Sequence, residues 1–203
     1  LYVAHYAPHR PLQAPEERIE ACRERYRVGY DVLRQERYKR LKEMGLVGSK
    51  AELPIHRKEY KKQARPSWDS LDSRMKEKWI EEMATYAAMI EIMDDGIGDV
   101  VEAVKKKGEF DNTLFVFLSD NGATSEGGLI SQLAADLSNT PYRSYKAKTF
   151  MGGISSPLII QYPKTTGHVA GELRADYTHI VDILPTCLDL AGVKYPSTFN
   201  GLG

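Results

Sequence analysis

Residues Thr113-Leu114-Phe115-Val116-Phe117-Leu118-Ser119-Asp120-Asn121-Gly122 carry an unbroken apolar run straight into an acid, an amide and a glycine. Such a run reads as a strand of a buried sheet. In open α/β sheets ligands bind beyond the carboxyl ends of the strands, which puts Asp120 and Asn121 at the rim of a site and leaves Gly122 to turn the backbone. A carboxylate beside an amide carbonyl offers two hard oxygen donors, suited to calcium or magnesium. Alone, the same tetrapeptide is an ordinary Asx turn closing a strand. The surrounding chain decides between the two.

The segment leading to this strand is helical by its spacing. From Met75 onward, Trp79, Met83, Tyr86, Ile90, Met93, Ile97, Val101 and Val104 mark one face of a long helix ending near Gly108. A stripe of that kind is core packing rather than a cofactor box. Residues 109–112 then turn the chain into the strand, a helix-to-strand unit typical of a doubly wound sheet. Earlier, residues 16–44 are highly charged but carry Ile19, Cys22, Tyr26, Tyr30, Leu33, Arg37 and Leu41 at mostly three- and four-residue steps. The spacing predicts an amphipathic helix interrupted at Gly29. Residues 45–73 lack periodicity, contain Pro54 and Pro66, and read as a surface connection anchored by Trp68. After the SDNG turn, residues 122–140 form a long connection expected to shape the pocket, with a short helix inside residues 127–137. Gly127-Gly128 is no phosphate loop, since no G-x-x-x-x-G-K-[ST] pattern accompanies it.

Three further segments bear on chemistry. Residues 1–6 read as a short strand, with His5 covering the sheet, and Ala7-Pro8-His9-Arg10-Pro11 places His9 just past its end between two prolines. Arg143-Ser144-Tyr145-Lys146-Ala147-Lys148 puts cations before a Gly152-Gly153 turn and a further strand at residues 157–163. Residues 177–192 read as a helix, with Pro185 in its first turn and Gly192 as its stop. With 203 residues, 42% of them hydrophobic, one domain can bury a sizeable core. Lys plus Arg and Asp plus Glu balance at 28 each, which gives no overall pull toward nucleic acid or an anionic membrane surface. No apolar run approaches the length of a membrane span. Cys22 and Cys187 form no metal or disulfide framework.

In this order, APHRPLQAP, FVFLSDNGA, YKAKTFMGGI and HIVDILPTCLDLAG resemble consecutive blocks of the sulfatase family, within the alkaline-phosphatase-like superfamily. The charged RYRVGYDVLRQERYKRLKEMGLV stretch resembles an arylsulfatase insertion, here at about residues 16–73. The resemblance implies an α/β fold, part of a doubly wound, mostly parallel sheet flanked by helices. It implies that Asp120 and Asn121 are ligands of a divalent metal, Ca2+ or Mg2+, and that His9 and Lys146 contact the sulfate and its bridging oxygen. Lys148 is the alternative if the register slips. His9 would protonate the leaving alcohol or aryloxide, a role suited to an imidazole. The implied substrates are aryl or carbohydrate sulfate esters, with phosphate or phosphonate monoester hydrolysis and a non-enzymatic binding module as the competing readings.

The family's nucleophile, a formylglycine made within C-x-P-S-R or C-x-A-R, has no match: Cys22 stands in Ala21-Cys22-Arg23-Glu24-Arg25 and Cys187 in Thr186-Cys187-Leu188-Asp189. The paired acids of the family's first strand are also absent. The expectation is a single partial catalytic domain over residues 1–203, inactive alone, with formylglycine supplied from an upstream part. An unpaired hydrophobic sheet edge would then favour self-association. Ser155 and Ser156 depart from the GGI-R-x-P form of relatives, and Met151 stands where an acid or amide is frequent, so the resemblance does not carry over pocket electrostatics or substrate preference. His56, His168 and His179 have no partner readable from sequence.

Overall fold

A computed structural model describes residues 1–54, 66–126, 129–163, 170–196 and 198, without the side chains of 129–131. His56, Gly127-Gly128, His168 and the last five residues lie outside the described residues. The chain divides into two compact units, Leu1–Gly167 and His168–Gly203.

The charged segment folds as two helices, α1 (Glu16–Arg27) and α2 (Tyr30–Glu43), broken where Gly29 takes φ +93°. The break has a packing cause. A Cβ on Gly29 would lie 2.4 Å from the Trp68 ring, which stacks on Tyr30 at 4.6 Å between centroids. Trp68 is buried, and its backbone N–H donates to Asp31 Oδ2 at 2.8 Å, so it anchors the connection as its isolation in the sequence suggests. The long helix α3 (Ser73–Lys106) starts at an Asp72 cap whose side chain accepts from Met75 N–H. It ends at Lys106, with Lys107 as its cap and Gly108 following at φ +71°.

Ile19, Cys22, Tyr26 and Tyr30 pack on Trp79, Ile80, Met83, Ala84, Ala87 and Ala88 of α3 to form the core. The small alanines let the helices approach, and Tyr30 Oη donates to Trp79 O at 2.5 Å. The charges sort to the rim of the same contact. Arg23 bonds both oxygens of Glu81 at 2.7 and 3.0 Å and also meets Glu16 and Glu20, while Arg18 meets Asp95, Arg27 meets Glu77 and Arg10 meets Glu82. Each exposed pair is worth little alone, but together they match α1 to α3 in register. Beyond Met89 the apolar stripe of α3 is only half-buried.

Through a short turn at Phe110–Asn112 the chain enters β1 (Phe115–Leu118), then α4 (Leu129–Ser138), a four-residue helical turn α5 (Met151–Ile154) and β2 (Leu158–Gln161). Leu133 and Leu137 seat α4 on the helical core. β1 and β2 pair antiparallel, with Phe115 opposite Gln161 and Leu118 opposite Leu158. Among the described residues the sheet is this antiparallel pair alone, and the expected doubly wound, mostly parallel arrangement is not shown there. A parallel neighbour requires the chain to return to the start of the first strand. Here Ser119 N–H donates to Pro157 O at 3.2 Å instead, so the chain enters β2 beside the end at which it left β1. Ile159 and Ile160, pointing to opposite faces, are both exposed.

Residues 1–6 form no strand and are exposed, which corrects the expected opening strand and the placement of His5 on a sheet. In the second unit a turn at Ile180–Asp182 leads into α6 (Ile183–Leu190), so the helix begins later than residue 177. The physical reason is a cap: His179 Nδ1 accepts from Val181 N–H, and His179 N–H donates to Asp182 Oδ2 at 2.7 Å. Pro185 falls in the first turn, and Gly192 stops the helix with φ +67°. Among the described residues no helix is long and apolar enough to cross a membrane.

Candidate functional site

The end of β1 is held by short-range bonds that shape the SDNG turn. Ser119 Oγ donates to Asn121 O at 2.9 Å, and Asn121 Nδ2 donates to Gly122 O at 3.0 Å. The second bond commits the nitrogen of the Asn121 amide and leaves its oxygen as an acceptor. The Asp120 carboxylate is exposed and makes no hydrogen bond or ion pair among the described residues.

What the sequence keeps far apart, the backbone joins. Gly122 N–H donates to Gly153 O at 3.1 Å, Lys146 N–H to Ala123 O at 3.0 Å, and Gly152 N–H to Arg143 O at 2.9 Å. The approach is closed to side chains. A Cβ on Gly122 would lie 1.8 Å from Gly152 O, one on Gly152 2.1 Å from Ser144 O, and one on Gly153 2.2 Å from Lys148 O. Gly152 and Gly153 therefore sit in a helical turn and serve as a floor against which two loops pack, rather than as a free turn. The Asp120–Asn121 turn and the Lys146 segment are thus neighbours. Lys146 is half-buried and Lys148 exposed. The Arg143 guanidinium, a third cation of this segment, lies 3.9 Å from the Phe150 ring centroid and is engaged there.

His9 lies on a separate loop of the same unit. Its Nδ1 is 2.8 Å from Arg10 O and its ring meets Tyr6 edge-on at 5.3 Å, so Nε2 is the nitrogen left to exchange a proton. The loop is tied to α3 by Arg10 on Glu82 at 2.6 Å and by Gln13 N–H on Met89 Sδ at 3.4 Å. None of these contacts reaches Asp120, Asn121 or Lys146.

One residue of this region has no signal in the sequence. Asn139, just past α4, accepts from Ala123 N–H through Oδ1 at 2.9 Å and donates through Nδ2 to Ser144 O at 3.0 Å. Next to it, Tyr145 Oη donates to Asp136 Oδ1 at 2.7 Å. An Asn following a helix and preceding Thr-Pro reads only as a helix stop, because its partners lie on segments that only folding brings to it.

A model of the sulfatase family matches residues 1–193. The chain belongs to the sulfatase family. An uncharacterised sulfatase of Schizosaccharomyces pombe is 34% identical over 228 residues, covering 96% of this chain and 39% of the yeast protein. An arylsulfatase of Klebsiella aerogenes is 32% identical over 220 residues, covering 95% of this chain and 46% of that enzyme. The human N-acetylgalactosamine-6-sulfatase is 37% identical over 113 residues, covering 55% of this chain and 20% of the human one. This sulfatase chain therefore spans less than half the length of each of these three relatives, and membership implies an α/β fold of the alkaline-phosphatase type.

The donors at the β1 end fit a hard divalent cation as part of a set. Asp120 offers an uncommitted carboxylate and Asn121 an uncommitted amide oxygen. Among the described residues no three His, Cys, Asp or Glu side chains converge to complete it.

Proposed function

We propose that this chain forms the metal and cation side of a sulfatase active site that hydrolyses aryl or carbohydrate sulfate esters, with the formylglycine nucleophile and the remaining metal ligands supplied by another part of a longer polypeptide. The observation that carries the proposal is the glycine-floored junction that seats Lys146 beside the Asp120–Asn121 turn in a chain of this family. A longer polypeptide is supported by the absence of a formylglycine motif from the sequence and by the share of the relatives' length that the chain spans. There the β1–β2 pair would stand as an antiparallel edge on a doubly wound, mostly parallel sheet.

The chemistry follows from charge. Cleaving a sulfate ester builds negative charge on the bridging and peripheral oxygens, and preorganised cations aimed at those atoms lower the barrier. Lys146 supplies a point charge and donors toward the sulfate. A divalent cation held by Asp120 and Asn121, Ca2+ or alternatively Mg2+, would supply Lewis-acid stabilisation of the same oxygens. His9, through Nε2, would pass a proton to the leaving alcohol or aryloxide. The arylsulfatase and N-acetylgalactosamine-6-sulfatase names among the relatives support both substrate classes.

The test is hydrolysis of a chromogenic aryl sulfate by the longer polypeptide and by its Asp120→Ala and Lys146→Ala forms, before and after chelation and calcium return. The expected result is calcium-dependent turnover that falls by about a hundredfold or more in each variant, with none from the 203-residue chain alone. Turnover of a phosphate monoester but not of the sulfate would overturn the sulfatase reading. Turnover by the 203-residue chain would overturn the divided site.

A further inference from the structure

We propose that Asn139 is a positioning residue whose side-chain amide, bonded to Ala123 on one side and Ser144 on the other, sets the spacing between the Asp120–Asn121 oxygens and Lys146. The inference rests on the reading above, in which those residues serve one site.

Asn139 projects from an anchored point. Its own N–H donates to Ala135 O at 2.8 Å, continuing α4, and that helix is fastened to the core by Leu133 and Leu137. Its two bonds have opposite polarity, one accepted from an N–H and one donated to a carbonyl, which fixes which side-chain atom is oxygen and which is nitrogen. An aspartate of the same size lacks the donor, and a glutamine is one methylene too long for the same reach. Ala123 is gripped at both ends, its N–H by Asn139 and its carbonyl by the Lys146 N–H.

A second observation converges on the same segment. Ser144 and Ala147, at φ +73° and +64°, are the non-glycine residues with positive φ among the described residues, and they bracket Tyr145 and Lys146. L residues adopt that conformation at a cost, and it persists where the surroundings over-determine it. The Ser144 carbonyl takes the Asn139 bond on one side and the close packing of Gly152 on the other. Lys146 is therefore presented on a bent segment whose geometry Asn139 helps to hold.

The experiment has two arms, each run with Asn139→Ala and with the isosteric Asn139→Asp, which keeps the Ala123 bond and loses the Ser144 bond. In the 203-residue chain, amide hydrogen exchange followed by NMR should rise by about tenfold at Ala123 and Lys146 in Asn139→Ala, with the α1–α3 core amides unchanged. In Asn139→Asp the rise should be confined to Lys146. In the longer polypeptide, kcat for an aryl sulfate should fall about ten- to a hundredfold with KM changed by less than about threefold, Asn139→Asp lying between wild type and Asn139→Ala. If Asn139→Ala does not fold, Asn139→Asp carries both readings. Unchanged exchange at both amides overturns the proposal, as does raised exchange with unchanged kcat. A wild-type polypeptide without sulfatase turnover would sink the functional reading instead, and the exchange arm would then decide the positioning role alone.

Discussion

Gly122→Ala should misplace the site without unfolding the core. The added Cβ would stand 1.8 Å from Gly152 O and 2.8 Å from the Gly152 carbonyl carbon, roughly 1.6 Å short of ordinary contact with the oxygen. Backbone rather than a flexible side chain lies in the way, so one loop must retreat from the other. A shift of that size stretches Gly122 N–H to Gly153 O and Ala123 N–H to Asn139 Oδ1 beyond bonding range. Each bond is worth about 0.5–1.5 kcal/mol, which gives a local cost of about 1–3 kcal/mol. Displacing Lys146 from Asp120 by about 1 Å is a hundredfold effect on a positioned reaction. Amide exchange in the chain and aryl sulfate turnover in the longer polypeptide read the two consequences separately. The expected outcome is faster exchange at Gly122, Ala123 and Lys146, protection retained along α1 and α3, and turnover reduced about a hundredfold. Native exchange and native turnover together would refute the packing argument, because no rearrangement admits that Cβ with the Gly152 carbonyl in place.

Gly29→Ala should destabilise the chain by about 2–5 kcal/mol, since it combines a left-handed φ with a clash against the buried Trp68 ring. Gly98→Ala, in the interior of α3 with nothing within 4 Å of the added methyl, should stabilise it by about 0.5–1 kcal/mol; urea midpoints that moved both variants the same way would contradict the contrast. The Arg23 guanidinium holds the Glu81 carboxyl below the usual carboxylate range. Its contribution should therefore be full above pH ~4.3 and fade as pH falls through the depressed value. Melting temperatures of wild type and Glu81→Gln should converge in acid, and a gap that persisted or widened there would sink the linkage. With Ile159 and Ile160 exposed on opposite faces of β2, the 203-residue chain should self-associate through its sheet; sedimentation as a clean monomer at high concentration would count against this.

Local pattern carried most of the helices. The three- and four-residue spacing of Ile19 through Tyr30 and of Trp79 through Val104 corresponds to α1 with the start of α2 and to α3, because an apolar stripe can be buried only at the helical period. Gly29 is legible as a break, and the Asp72 side chain caps α3 by accepting from Met75 N–H. The charges of residues 16–44 showed no partners until folding laid Arg18, Arg23 and Arg27 against acids of α3 50 or more residues away. At the site, Asp120, Asn121 and Lys146 were readable as residue types and as family blocks. Their adjacency was not, since it depends on backbone bonds between Gly122, Ala123, Lys146 and Gly153.

From the sequence alone come the family, the two helical segments, the strand leading to Asp120 and the lack of a formylglycine motif, all of which depend on residue order along the chain. Tertiary structure alone decided the antiparallel pairing of β1 with β2, the exposed residues 1–6 in place of a strand, the glycines as a floor between two loops, and the two hydrogen bonds of the Asn139 amide. Those depend on distances between residues remote in the chain. Backbone carbonyls and N–H groups are chemically the same at nearly every position, so only their arrangement in space says which ones meet.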